Sequence, residues 1–290
     1  MSFELTEGET LGLVGESGSG KSTLGRMLVR LEQPTSGEVI SGGRNIFGLK
    51  GNDLTDFRKS AQIVFQDPRG SLNPRITIGS MLIEPILFHG MSSRAGAGKR
   101  AAELLEMVGL SSGIMNRFPH EFSGGERQRI CIARALTVGP RFIVADEPVT
   151  ALDVSIQGQI VNLLCGLQKK LGLTYLFIAH DLCVVSHASS KIVVLYLGRI
   201  VEMAPADRLY EKPGHPYTEA LLASMPRIDR GDGREDGHTW IVPAGEPGDA
   251  VKPPPGCVYH PRCLYVTPLC RKEQPPLKET GKGHHVACIL

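Results

Sequence analysis

The run Gly15-Glu16-Ser17-Gly18-Ser19-Gly20-Lys21-Ser22-Thr23 constrains this chain more than any other stretch. It has the form G-x-x-x-x-G-K-S. An apolar segment, Thr10-Leu11-Gly12-Leu13-Val14, precedes it, and Leu24, Met27, Leu28 and Leu31 follow at helical spacing. Strand, glycine loop and helix start together make an anion cradle. The glycines let backbone N–H groups turn onto phosphate oxygens, and the helix dipole favours the negative charge there. Lys21 is expected to reach the β- and γ-phosphates, and the Ser22 hydroxyl to ligate Mg²⁺. A Gly/Ser-rich turn is the bland alternative; the flanking strand and helix argue against it.

With 290 residues the chain can hold one sizeable core and a smaller appendage. Its net charge of +2 gives no warrant for a nucleic acid or an anionic membrane as partner. No apolar run is long enough to span a bilayer and no signal peptide is evident, so a membrane role is expected to go through partner subunits. Of the seven cysteines, Cys131, Cys165 and Cys183 are scattered, while Cys257, Cys263, Cys270 and Cys288 crowd the end. In the reducing compartment expected for such a chain, clustered cysteines suggest a metal site sooner than disulfides.

Ser2 to Leu5 alternates like a strand, and Glu38-Val39-Ile40 and Ile63-Val64-Phe65 read as further strands. Residues from about 76 to 115 read as mostly helical, with Ala101, Leu104, Leu105 and Val108 on one face. The uninterrupted apolar runs Phe142–Ala145 and Tyr175–Ala179 suit parallel strands buried on both faces, with an amphipathic helix, Ile156–Leu171, between them. Ile192–Leu195 and Arg199–Met203 read as a hairpin about Leu197-Gly198. Strands alternating with helices predict an α/β parallel sheet with a helical insert between Gln66 and Phe122. Asp229 to Gly256 reads as a Gly/Pro/Asp-rich linker.

Several residues fall where chemistry would need them. Asp146 and Glu147 end a hydrophobic strand, where ligands of open α/β sheets lie. Asp146 has the position of a carboxylate on the Mg²⁺ shell, and Glu147 could polarise the attacking water. Gln66 and His180 also follow strands; alone, each is weak evidence. Ser123-Gly124-Gly125-Glu126 opens a helix and makes a second anion-binding helix start, which has no reason to exist unless it serves a partner's nucleotide.

Taken in order, these segments resemble the ATP-binding-cassette (ABC) ATPases: a Walker A at Gly15–Ser22, a Q-loop at Gln66 and a signature at Phe122–Glu126. The Walker B at Phe142–Asp146 is followed by Glu147, a D-loop at Ala151-Leu152-Asp153 and the H-loop His180. The resemblance implies an α/β P-loop NTPase fold, a RecA-like core plus an α-helical subdomain at about 76–135. The nucleotide-binding domain would span 1–228, residues 229–256 would be the linker, and 257–290 a small Cys-rich extension. It further implies that Gly15, Ser17, Gly18, Ser19, Gly20, Lys21, Ser22, Thr23, Gln66 and Asp146 hold MgATP. Ser22, Gln66 and Asp146 would face Mg²⁺, Glu147 would polarise water, and His180 would sense the γ-phosphate. Ser123, Gly124, Gly125, Glu126 and Asp153 would meet the nucleotide of a second subunit in a head-to-tail dimer.

The branch is narrower still. Gln66-Asp67-Pro68 followed by Ser71-Leu72-Asn73-Pro74-Arg75 looks like the oligopeptide/dipeptide importer ATPases, as do His215-Pro216-Tyr217-Thr218 and Pro253-Pro254-Pro255-Gly256-Cys257. Importers of nickel or glutathione share much of this. The branch implies a paralogous second ATPase, two transmembrane permease subunits, an extracytoplasmic solute-binding protein acting indirectly, and a place on the cytoplasmic face of the inner membrane. A soluble nucleic-acid remodeller is disfavoured by charge and by the single cassette.

The tail spacing, C-x5-C-x6-C-x17-C, is not that of a zinc ribbon. Four thiolates could hold zinc or an iron–sulfur cluster. The matching tail of some relatives favours a [4Fe–4S] cluster, with His260, His284 and His285 as exposed alternatives. Three departures from the family stand out. An N-terminal strand and an adenine-stacking aromatic are expected well upstream of Gly15 but do not precede it here. This points to a start further upstream or to a shortened, weakly active or regulatory subunit. Glu126 replaces the usual glutamine and should weaken that half-site unless Arg127 or Arg129 screens it. Val149-Thr150 replaces a small-polar pair, with little effect expected.

Overall fold

The computed structural model describes residues 1–224 and 248–290. Every residue of β1 (Thr10–Val14) is buried, and the strand runs through the glycine loop into α1 (Lys21–Leu28). An exposed hairpin follows, β2 (Ile40–Ser41) against β3 (Arg44–Asn45). Next come α2 (Gly51–Ser60), β4 (Ala61–Val64) and α3 (Pro68–Ser71). The helical insert holds α4 (Ile78–Phe88) and α5 (Arg94–Met107), capped by Thr77 and Ser93, and leads to α6 (Gly124–Leu136). The alternation resumes with β5 (Phe142–Asp146), α7 (Val154–Leu171) and β6 (Thr174–Ala179). After α8 (Leu182–Ala188) come β7 (Lys191–Tyr196) and β8 (Arg199–Pro205), then α9 (Ala206–Glu211) and α10 (Pro216–Ala223). Two short strands close the chain, β9 (Lys278–Gly281) and β10 (His284–Val286).

The chain divides into two compact units. The larger comprises Leu5–Glu9 and Ser22–Ile178. Its strands β4, β5 and β6 are parallel, with Val64 beside Ala145 and Asp146 beside Ile178, so their carboxyl ends coincide. This register, and not chain proximity, brings the segments after each strand to one edge. On α5, Ala97, Ala101, Leu104 and Leu105 are buried, the face that helical spacing predicts.

The second unit comprises Met1–Glu4, Thr10–Lys21 and Ala179–Leu290. In it β1 pairs with β7 in parallel, Val14 beside Val194, and β7 and β8 form the expected antiparallel hairpin. Leu197 and Gly198 both take positive φ, 43° and 73°, the two-residue turn whose twist matches the strands. β10 pairs with both β8 and β9. The fully buried Glu202 carboxylate accepts from Gly214 N–H at 2.7 Å and His215 N–H at 2.9 Å, and lies 2.6 Å from His284 Nε2. That set satisfies a charge which would otherwise be costly to bury.

Some expectations fail. Residues 2–5 form no strand; side-chain alternation cannot make one without a partner edge. The strand expected at Glu38 shrinks to Ile40–Ser41, both exposed. Between Gln66 and Arg75, Asp67 caps the turn of α3 by accepting from Arg69 and Gly70 N–H. His260, His284 and His285 are not exposed: His284 faces Glu202, and His260 Nδ1 lies 2.9 Å from the Cys257 carbonyl. Of the proposed linker, 229–247 lies outside the described residues; 248–256 is irregular.

Candidate functional site

The loop after β1 is built as a cradle. Gly18 and Gly20 take φ of +78° and +99°, which L side chains rarely adopt, and a Cβ at Gly15 would lie 2.1 Å from the Leu195 carbonyl oxygen. Lys21 is nearly buried, and its Nζ donates to the carbonyls of Gly15 at 2.8 Å and Glu16 at 3.0 Å. The lysine thereby holds the loop closed around its amides. Ser19 Oγ is buried with no protein partner. A buried hydroxyl of that kind needs an acceptor or donor from outside the chain, and a phosphate oxygen supplies one. The residues therefore fit a nucleotide phosphate group. Ser17 and Gly18 are exposed, and Thr23 lies within α1.

In the larger unit Ser22 Oγ donates to Asp146 Oδ1 at 2.8 Å, at the buried end of β5. Two oxygen ligands with that contact fit a small octahedral cation such as Mg²⁺. Gln66 Nε2 donates to Glu147 Oε2 at 3.0 Å, so the segments after β4 and β5 meet. Glu147 is held at φ +46°, an uncommon backbone for a residue with a side chain. Its N–H donates to the Ile178 carbonyl at 3.0 Å, which fixes that turn. Thr150 Oγ1 donates to the same Glu147 Oε2 at 3.0 Å. The replacement expected to matter little thus holds the carboxylate in place. A hydroxyl three residues beyond a strand-end acid in a tight turn is the signal that could have found it. His180, at the end of β6 in the other unit, is exposed.

Ser123 caps α6 in a capping box. Glu126 folds back so that its Oε2 accepts from Ser123 N–H at 2.9 Å and Ser123 Oγ at 2.7 Å. Those hydrogen bonds, side chain first, lower its pKa. Neither arginine screens it: Arg127 donates to the Pro119 and His120 carbonyls, and Arg129 to Val108 O and Gln159. Gly124 and Gly125 open the helix, and Asp153 stands exposed at the start of α7 with no side-chain capping bond. Arg134 of α6 donates to the Ser71 carbonyl at 2.5 Å, tethering the segment after Gln66.

At the C-terminus none of the four cysteines is paired in a disulfide. Among the described residues, no group of three or more His, Cys, Asp or Glu is arranged to hold a metal ion, so the tail as folded does not fit a single tetrahedral zinc. The thiols are nonetheless near enough to influence one another. Burial raises Cys257 and Cys263; Cys270 and Cys288 raise Cys257 further, and Cys288, Cys257 and Cys270 raise Cys263. Two contacts went unforeseen: Arg262 reaches Glu16 of the glycine loop, and the Tyr217 hydroxyl accepts from Glu16 N–H at 2.8 Å. No spacing rule links residues so far apart in sequence.

Comparison with known proteins agrees with this geometry. Residues 1–150 match the ABC transporter family model, and 201–270 match the C-terminal region of oligopeptide/dipeptide transporters. The chain is 49% identical to the oligopeptide transport ATP-binding protein AppF of Bacillus subtilis (strain 168), over 100% of this chain and 88% of AppF. It is 50% identical to YkfD of the same organism, again over 100% and 88%. Among solved structures it resembles the dimeric structure of MJ0796, a bacterial ABC transporter cassette. That match has a TM-score of 0.63 and 34% identity over 70% of this chain and 88% of the other. It also resembles cbiO1 from Clostridium perfringens, part of the ABC transporter complex cbiONQ, with a TM-score of 0.66 and 25% identity over 73% and 83%. The chain belongs to the ABC transporter family, in its branch of oligopeptide transport ATP-binding proteins.

Proposed function

We propose that the protein is the ATP-hydrolysing subunit that energises an ABC importer of oligopeptides or dipeptides. The observation that carries the reading is the paired contact at the carboxyl edge of β4 and β5. Ser22 meets Asp146, and Gln66 meets Glu147, in a chain half identical to AppF along its whole length.

Each residue has a task that its chemistry suits. The amides of Gly15 to Thr23 and the Lys21 ammonium bind the polyphosphate, and Ser22 and Asp146 hold Mg²⁺, with Gln66 beside it. Bound Mg²⁺ supplies charge neutralisation at the phosphates. Glu147, oriented by Gln66 and Thr150, accepts hydrogen bonds through Oε2 and orients the attacking water. His180 reads the γ-phosphate. Ser123, Gly124, Gly125, Glu126 and Asp153 meet the nucleotide of a second ATPase subunit, a paralogue.

Among the described residues no helix is long and apolar enough to cross a membrane. The subunit works at the cytoplasmic face of the inner membrane beneath two permease subunits, which a solute-binding protein loads from outside. The helical insert is the docking face: Ser80, Ile83, Glu84, Leu87, Phe88 and Arg94 line an open cleft, and Phe88 is 79% exposed. The domain plan is a nucleotide-binding domain over 1–228, a linker to 256 and a Cys-rich end. Cys257, Cys263, Cys270 and Cys288 are the candidate ligands of a [4Fe–4S] cluster at that end, a reading that rests on their clustering in sequence and on the resemblance alone.

The deciding experiment is MgATP hydrolysis by the complex reconstituted with its permeases, the second ATPase subunit and the solute-binding protein. Peptide-stimulated turnover that vanishes in Glu147→Gln supports the reading, and turnover unaffected by peptide sinks it. Visible absorbance and iron in anaerobically purified protein test the cluster; a colourless, iron-free sample removes it.

A further inference from the structure

Glu16 places a carboxylate inside the segment whose amides are to face a polyphosphate. The chain does not leave it bare. Arg262 Nη1 donates to Glu16 Oε2 at 2.8 Å and Oε1 at 3.1 Å, with the arginine side chain only 10% exposed. The Glu16 N–H is engaged as well, donating to the hydroxyl of the fully buried Tyr217. Tyr217 is braced by Tyr196 and Tyr259, at ring separations of 4.6 and 5.3 Å. Arg262 itself is set by a turn in which its N–H donates to the Tyr259 carbonyl at 3.0 Å. Both handles of one loop residue, charge and amide, are thus gripped from the C-terminal region.

We propose that Arg262 is a positioning residue for the glycine loop, neutralising Glu16 so that the cradle accepts a polyphosphate. Nucleotide affinity then depends on the C-terminal segment being seated. The inference rests on the reading that this loop binds MgATP. The reason is electrostatic. A like charge beside the phosphates is repulsive, and the partly buried setting screens it less than open water does. The arginine cancels that charge, and its hydrogen bonds keep the glutamate from swinging toward the amides it could cap in the phosphate's place.

The test is equilibrium MgATP binding to the full chain as wild type, Arg262→Gln, Arg262→Lys, Glu16→Gln and the Glu16→Gln/Arg262→Gln pair, at low and high salt. Arg262→Gln is expected to weaken binding about tenfold at low salt and less at high salt. Arg262→Lys should recover most of the loss. The double variant should return to within about threefold of Glu16→Gln, since removing both charges removes the repulsion. Glu16→Gln alone should bind at least as tightly as wild type, a readout that stands even if Arg262→Gln fails to fold. Wild-type affinity in Arg262→Gln overturns the proposal. So does a double variant as weak as Arg262→Gln, because the loss would then come from packing. Wild-type protein that binds no MgATP, like a Lys21→Ala control, instead overturns the nucleotide reading beneath it.

Discussion

Gln66 and Glu147 lie 81 positions apart in the sequence, yet the Gln66 side-chain amide donates to Glu147 Oε2 at 3.0 Å. The contact exists because β4 and β5 run parallel and end level. It leaves the carboxylate acceptor-rich and fixed, as a group that orients water must be. Glu147→Gln should therefore retain MgATP binding while hydrolysis falls by roughly 10²–10⁴-fold. Nucleotide binding beside phosphate release reports the split, and retained turnover would remove Glu147 from its role.

Gly15→Ala should damage the loop itself. The added methyl would lie 2.1 Å from the Leu195 carbonyl oxygen and 2.9 Å from Ser19 Oγ. Overpacking of this kind costs about 1–3 kcal/mol, so melting temperature and MgATP affinity should fall together. Gly158→Ala, in α7 with open space around the new methyl, should instead gain up to about 1 kcal/mol from helix propensity.

Acid should weaken the C-terminal region through His215. Burial pushes its imidazole down to about 4 from 6.5, and Nδ1 accepts from Tyr217 N–H, which a protonated Nδ1 could not do. Between those two values the unfolded chain takes up a proton that the folded chain refuses. The stabilisation is complete above about pH 6.5 and is lost as pH falls toward 4. The loss is on the order of 3 kcal/mol. Urea midpoints across that window should drop on acidification, and His215→Gln should flatten the dependence.

Glu126→Gln tests the proposed half-site for a partner's nucleotide. A glutamine can keep the capping bond to Ser123 N–H while removing the charge. In a Glu147→Gln background, ATP-driven association of subunits should need less nucleotide, by about two- to threefold, with little change in melting. Sedimentation across an ATP series measures this, and an unchanged midpoint would show that the carboxylate carries no penalty.

The sequence by itself determined the glycine loop, the buried strands, the helical insert and the order of the motifs. Each depends on local chemistry: glycine's access to positive φ, apolar runs long enough for a strand, small residues opening a helix. It also determined the branch, through short motifs such as His215-Pro216-Tyr217. Tertiary structure alone decided which of these residues meet. Ser22 meeting Asp146 and Gln66 meeting Glu147 join residues 124 and 81 positions apart, whereas Thr150 on Glu147 and Glu126 on Ser123 are local contacts that turn and capping-box chemistry could have signalled. Arg262 closing on Glu16 joins residues 246 positions apart, and the alternating Ser2–Leu5 segment found no strand to pair with. Side-chain pattern specifies which face a segment buries. Partners across the chain are fixed only when strand register and the packing of buried rings bring distant segments into hydrogen-bonding range.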